Sequence, residues 1–109
     1  MLYDAFTINT ILFLEDLGFC AKGEGPEFIR RHSFEANGSF PFNTSGGQLS
    51  VGQAGAAGGT LGLVEAIRQV TGQAIGAQVE NVRHVLVSGY GMINFDRGLC
   101  SGAVILAAT

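Results

Sequence analysis

Residues 43–59 form an uncharged run holding six glycines and three alanines, and the run ends where a helical pattern begins. Glycine admits positive φ, and small residues leave peptide N–H groups uncovered at a helix start, so an anion or a reacting oxygen can be bound there. The run carries neither GxGxxG after a strand nor GxxxxGK[ST], so the dinucleotide fingerprint and the phosphate loop are both absent. On composition alone, a glycine-rich turn that lets a helix pack closely on a sheet accounts for it equally well. Other reactive side chains give less. Cys20 and Cys100 lack metal-ligand spacing and do not cluster with His32 and His84, so no metal site is expected. Both cysteines are expected to act as small apolar fillers, Cys100 buried, and His84 to sit at a strand edge or surface. His32 beside Arg30 and Arg31 makes a small basic group able to meet a phosphate, although such groups more often form a solvated face.

The elements that must position these residues can be read from periodicity. Ile8, Ile11, Leu12 and Leu14 fall on helical spacing over residues 7–17, with Thr7 or Asp4 able to cap the start and Gly18 suited to the stop. Pro26 fits the first turn of a short helix through Arg31. Asn37-Gly38, flanked by Phe34, Phe40 and Phe42, signals a hairpin that delivers the chain to Asn43. A second helix follows over residues 60–71, with Leu61, Val64, Ile67 and Val70 in an i, i+3 stripe and Gly72 at its end. Residues 84–88 and 103–108 are apolar on both faces, which is how central strands covered by helices read, and residues 90–98 form a polar, glycine-bearing turn between them.

At 109 residues the chain fits a single domain of mixed α/β class. Charged residues make up 14%, against about 25% in a typical soluble domain, so further surface is expected to be covered by a partner or by chain not present here. A net charge of −3 and scattered basic residues argue against nucleic-acid binding. No apolar run approaches a membrane span, and a cytoplasmic protein with reduced thiols is expected.

The ordered pieces Tyr3-Asp4-Ala5-Phe6, then Asn43-Thr-Ser-Gly-Gly47, then Gly52-Gln53-Ala54-Gly55-Ala56-Ala57-Gly58-Gly59 at a helix start, resemble the C-terminal half of the thiolase superfamily. The likeness is greatest to its sterol-carrier-type and lipid-transfer-protein-like members. The family's pieces are His-Asp-Cys-Phe or Asn-Glu-Ala-Phe, then Asn-x-x-Gly-Gly, then Gly-His-Pro-x-Gly-Ala-[Ser/Thr]-Gly. The resemblance spans essentially residues 1–109 and implies a partial thiolase C-terminal domain, a mixed β-sheet layered with α-helices and incomplete as it stands. It also implies a substrate acyl group carried by coenzyme A, with no covalently bound cofactor, and a homo-oligomer. The family's nucleophilic cysteine belongs to its first half, so the isolated chain is not expected to be a complete enzyme.

Two departures redirect the implied chemistry. Gln53 stands at the family's motif histidine and Ala54 at its proline; glutamine cannot exchange a proton near neutral pH, though it can donate a hydrogen bond. Tyr3 stands where the family has His or Asn, and a tyrosine hydroxyl can hold an oxyanion or act as acid or base. This pattern is similar to that of thiolase-like aldolases acting on steroid side-chain thioesters, which cleave a β-hydroxyacyl thioester without a cysteine nucleophile. The resemblance then implies Tyr3 and Gln53 as catalytic residues, Gln53 as a polar positioner. Asn43, Gly46, Gly47, Gly52, Gly55 and Tyr90 become substrate-binding, with Asn43 fixing the turn that shapes the pocket. A small OB-fold, zinc-ribbon protein is the partner such enzymes commonly have. The competing expectation is a non-catalytic copy that serves only dimerisation or partner support.

Overall fold

The computed structural model describes residues 1–53, 55, 58–91 and 93–108. Helix α1 (Thr7–Asp16) stops at Gly18, where Phe19 N donates back to Leu14 O (2.9 Å) and Gly18 N to Glu15 O (3.2 Å), the glycine-ended turn that the sequence predicts. Its start differs from expectation. Phe6 is the N-cap and no side chain caps it, because Asp4 is turned toward another helix. In α2 (Gly25–Arg31), Pro26 lies in the first turn, where its missing N–H is not needed. Glu27 binds both Arg30 and Arg31 at 2.8 Å, and His32 stacks on Phe28 with ring centroids 4.0 Å apart. The basic group is therefore tied to the chain's own carboxylate and ring.

Phe28, Phe34 and Phe40 meet edge to face, with Phe19 against Phe40 and Phe42 against Phe34. This aromatic cluster organises residues 19–42. The hairpin expected at Asn37-Gly38 is replaced by a turn one residue earlier, closed by Gly38 N donating to Glu35 O (2.9 Å), and no strands flank it. Neither Asn37 nor Gly38 takes positive φ, as a two-residue hairpin loop of that composition requires. The ring cluster, together with the bonds Phe40 N to Ser33 O and Phe42 N to Phe34 O, closes the loop instead.

A five-residue helix, α3 (Gly47–Val51), interrupts the glycine run, and α4 (Gly58–Val70) begins two residues before the periodic segment. Helix α4 packs on the first strand through small residues: a Cβ built on Gly62 would lie 3.8 Å from Val87 Cγ1, and Ala66 is fully buried. The apolar stripe expected to face the core points away, with Val64 43% and Ile67 47% exposed, while Glu65 and Gln69 are buried. These two belong to a polar network. Gln69 Nε2 donates to Glu65 Oε1, Thr44 Oγ1 and Ala77 O, and Thr44 Oγ1 donates to Glu65 Oε1. It ties the start of the glycine run to α4 and to the loop after it.

Strands β1 (His84–Tyr90) and β4 (Ser101–Ala107) pair antiparallel from His84↔Ala107 to Tyr90↔Ser101, and the intervening turn contains the two-residue pair β2 (Ile93–Asn94) and β3 (Arg97–Gly98). On the other side of β1, Met1 N donates to Leu86 O (2.6 Å) and Ser88 N to Met1 O (2.9 Å), the alternation of a parallel pair. The arrangement is thus mixed. The strands are covered only in part: β4 is exposed along most of its length, Ile105 by 64%. Helix α4 covers β1 chiefly, and Leu2, Leu14, Ala66 and Val87 are the buried apolar residues among those described. His84 is exposed at the head of β1, where an edge histidine is expected.

Candidate functional site

Residues 2–5 are held as a short extended segment by side chains from residues 43–53. Asn43 Oδ1 accepts from Leu2 N (2.8 Å) and Asn43 Nδ2 donates to Leu2 O (3.0 Å), so its amide mimics a strand neighbour. Asp4 is buried, and its Oδ1 accepts from Gln48 N (2.7 Å), the second residue of α3. A carboxylate at a helix start meets free N–H groups and the positive end of the dipole. The anion expected at a helix start in this run is therefore supplied by the chain itself at α3. Gly47 makes this approach possible: its φ is +68°, and a Cβ built on it would overlap the Asp4 carboxylate. Gln53 Nε2 donates to Ala5 O (3.1 Å) and completes the clamp.

The segment so held forms one wall of an open cleft of about 1080 Å³, just above the usual size of small-molecule sites, roughly 300–1,000 Å³. Tyr3, Ala5 and Phe6 stand on one side with Gly55 and Gly59. Asn9, Leu12, Phe13 and Asp16, spaced as one face of α1, form another side, and Ser88 to Gly91 with Ser101 to Ala103 close the third. Tyr3 N donates to Ser88 Oγ (3.4 Å), linking the first wall to the third. The Tyr90 ring meets Phe13 edge to face at 6.4 Å. The lining is mainly apolar, with Tyr3, Asn9, Asp16, Ser88, Tyr90 and Ser101 as its residues with polar side chains.

Of the residues that the sequence singles out, Tyr3, Gly55 and Tyr90 come together around this cleft. Asn43, Gly47 and Gln53 lie behind it as the clamp on residues 2–5, and Gly46 and Gly52 flank α3 as its caps. Gln53 is exposed. Ala54, Ala56 and Ala57, and Met92 in the turn between β1 and β4, lie outside the described residues. Cys100 is exposed rather than buried, because a β4 without a cover cannot enclose it. Partial desolvation, then the Glu15 and Glu24 carboxylates, push the Cys20 thiol above its ordinary range, which disfavours the reactive thiolate. No metal-binding group of His, Cys, Asp and Glu is present among the described residues, and no helix of the described residues is long and apolar enough to cross a membrane. Sequence reasoning missed Asn9 and Phe13. The i, i+4 spacing of Asn9 and Phe13 on α1 is the signal that was there to use.

The thiolase C-terminal domain-like family model matches residues 1–100. The chain is 46% identical over 88 residues to 17-hydroxy-3-oxo-4-pregnene-20-carboxyl-CoA lyase of Mycobacterium tuberculosis, covering 81% of this chain and 22% of that protein. It is 44% identical over 88 residues to the steroid side-chain-cleaving aldolase of Thermomonospora curvata, with the same coverage. It is 38% identical over 87 residues to benzoylsuccinyl-CoA thiolase subunit BbsB of Thauera aromatica, covering 80% of this chain and 23% of that protein. The chain thus spans about a fifth of the length of these curated relatives. No solved structure matches it.

Proposed function

This chain belongs to the thiolase C-terminal domain-like family, and from that premise we propose that it supplies the cleft wall of an enzyme breaking a carbon–carbon bond beside a coenzyme A thioester. The favoured reaction is aldol cleavage. The observation that carries this choice is Tyr3, whose residue lines the cleft while Gln53 holds the backbone two residues further on. On this reading Gln53, at the family's motif histidine, only positions.

In this reaction a β-hydroxyacyl thioester loses its hydroxyl proton, that oxygen becomes a carbonyl, and the Cα–Cβ bond breaks. The bonding electrons pass to the thioester as an enolate, which is then protonated at Cα. No oxidant and no cysteine nucleophile take part. Tyr3 serves the hydroxyl proton or the developing enolate oxygen, the two places where charge changes. Gly55 and Gly59 let the substrate approach the backbone, and Tyr90 with Phe13 forms the apolar side of the cleft. Coenzyme A enters as part of the substrate. The kinship with two steroid-cleaving relatives supports a bulky apolar acyl group.

The uncovered faces of α4 and β4 favour a second reading, in which the chain serves only assembly with a copy of itself or another protein. The reading as an enzyme also has these faces covered in a homo-oligomer, and a small OB-fold, zinc-ribbon protein is the partner it suggests. The two separate in one assay. A protein containing this chain, given β-hydroxyacyl and β-ketoacyl coenzyme A thioesters together with free coenzyme A as the acyl acceptor, releases an aldehyde or ketone from the hydroxy substrate under the aldolase reading. Release of a shortened acyl thioester from the keto substrate alone indicates Claisen chemistry, and turnover of neither leaves the assembly role.

A further inference from the structure

Gln48 sits in α3 with 5% of its surface exposed, and one of the two polar ends of its side chain is engaged. Its backbone N donates to Asp4 Oδ1 (2.7 Å) and its side-chain Nε2 donates to Gly58 O (2.5 Å). The carbonyl of Gly58 fixes which end of the amide is nitrogen, since a second oxygen there would repel it. The remaining atom, Oε1, is shielded from solvent and has no donor. A buried acceptor without a partner is costly, and such atoms call for a specific account.

A donor group on Tyr3 borders the same space. A Cβ built on Gly58 would lie 3.1 Å from Gln48 Oε1 and 3.7 Å from the Tyr3 hydroxyl oxygen. Both oxygens therefore border the small gap that the missing side chain of Gly58 leaves. The Tyr3 hydroxyl makes no hydrogen bond among the described residues. A carbonyl oxygen only accepts, and a phenol can donate, so the two are complementary. Asp4, the residue after Tyr3, is bonded to the backbone of Gln48 itself, which keeps the pair in register.

We propose that Gln48 is a positioning residue for Tyr3: its carboxamide oxygen accepts the Tyr3 hydroxyl hydrogen after a small turn of the phenol into the Gly58 gap. The consequence for substrate choice rests on the acyl-thioester reading above. With its hydrogen committed to Gln48, the phenol oxygen presents a lone pair to the cleft. In the ground state it then receives a hydrogen bond from a substrate hydroxyl and has none to give a ketone, and as the Cα–Cβ bond breaks the same hydrogen turns from Gln48 to the developing enolate oxygen. Gln48 thus biases the site toward β-hydroxyacyl over β-ketoacyl thioesters.

The link between the two residues can be tested without substrate. The chain has two tyrosines, so with Tyr90→Phe in place, ¹³C-labelled tyrosine reports Tyr3 alone by the NMR resonance of its Cζ. Gln48→Met removes the acceptor, and Gly58→Ala fills the gap while leaving Gln48 in place. Both substitutions are expected to shift the Tyr3 resonance in the same direction, with helix content by circular dichroism unchanged. A Tyr3 resonance that stays at its original position in Gly58→Ala overturns the proposal, and that variant decides alone where Gln48→Met does not fold. In a protein containing this chain, the ratio of β-hydroxyacyl to β-ketoacyl thioester affinity is expected to fall about tenfold in either variant, the worth of one hydrogen bond. A shifted resonance with no thioester bound by any form sinks the acyl-thioester reading and keeps the Gln48–Tyr3 link. Thioester binding with an unshifted resonance does the reverse.

Discussion

Asp4→Ala gives the sharpest view of how the cleft wall is held. The substitution removes the carboxylate that accepts Gln48 N at 2.7 Å, a buried charged hydrogen bond worth about 1.5–3 kcal/mol. It also takes a negative charge from the start of α3, worth about 0.3–1 kcal/mol. The contact to Leu49 N, at 3.5 Å, is at the limit of a hydrogen bond and adds nothing to the sum. The expected loss is about 2–4 kcal/mol, read in urea unfolding as a midpoint lower by about 1–2 M at unchanged slope. Asp4→Asn keeps an acceptor oxygen and should lose about half as much. Gly47 extends the test, since Gly47→Ala introduces a Cβ that overlaps the Asp4 carboxylate at a φ of +68°. In the wild-type background that substitution carries both an overlap and a left-handed backbone cost of about 1–2 kcal/mol. In the Asp4→Ala background only the backbone cost remains, so the double mutant should be more stable than the sum of the singles predicts. Asp4→Ala within about 0.5 kcal/mol of wild type, or strict additivity with Gly47→Ala, would refute the clamp.

Three other perturbations follow from the same contacts. Asn43→Ala loses two hydrogen bonds to Leu2 and places alanine at a φ of 42°, for about 2–4 kcal/mol by urea unfolding; Asn43→Gly should recover the backbone part and no more. Gln69→Leu strips donors from Thr44, Glu65 and Ala77 and leaves Val79 N without its acceptor, so a loss of about 2–4 kcal/mol is expected. A fall of under about 1 kcal/mol would show that the network is not cooperative. Amide N–H groups of Gly23 and then Gly25 hold the Glu15 carboxyl below its ordinary range. Its folded pKa is depressed, so its contribution is complete above the unfolded value of about 4.3 and is lost as pH falls through the lower folded value. Amide exchange in residues 18–24 should therefore quicken in that acid window, and Glu15→Gln should remove the pH dependence.

Local signals were legible and remote ones were not. Gly18, Pro26 and Gly72 punctuate helices by their own backbone chemistry, and they stand where the sequence predicts. β1 and β4 follow from apolar runs. Helix α3 could not be foreseen from Gly47-Gln-Leu-Ser-Val51, which has poor helix propensity and no stripe. It is fixed by Asp4, 44 residues earlier in the chain. The outward turn of Val64 and Ile67 escaped because periodicity identifies an apolar face without saying which neighbour meets it. Here the inner face is given by Gly62 and Ala66, small enough for close approach, and by a polar network that no hydropathy pattern marks. At the site, the ordered motifs pointed to Tyr3, Gly55 and Tyr90, which converge on the cleft. Gln48 carried no signal at all, since a glutamine becomes informative only once it is known to be buried with one end unpartnered.

The central claim is that Tyr3 works at the reacting centre of a thioester-cleaving site. Its most direct test is the single-turnover release of aldehyde or ketone from a β-hydroxyacyl coenzyme A thioester by a protein containing this chain, with Tyr3 compared to Tyr3→Phe. The loss of one proton-transferring or oxyanion-holding group predicts a rate at least about 10²-fold lower for Tyr3→Phe, with substrate affinity little changed. A Tyr3→Phe protein that releases the carbonyl product at the wild-type rate would contradict the account.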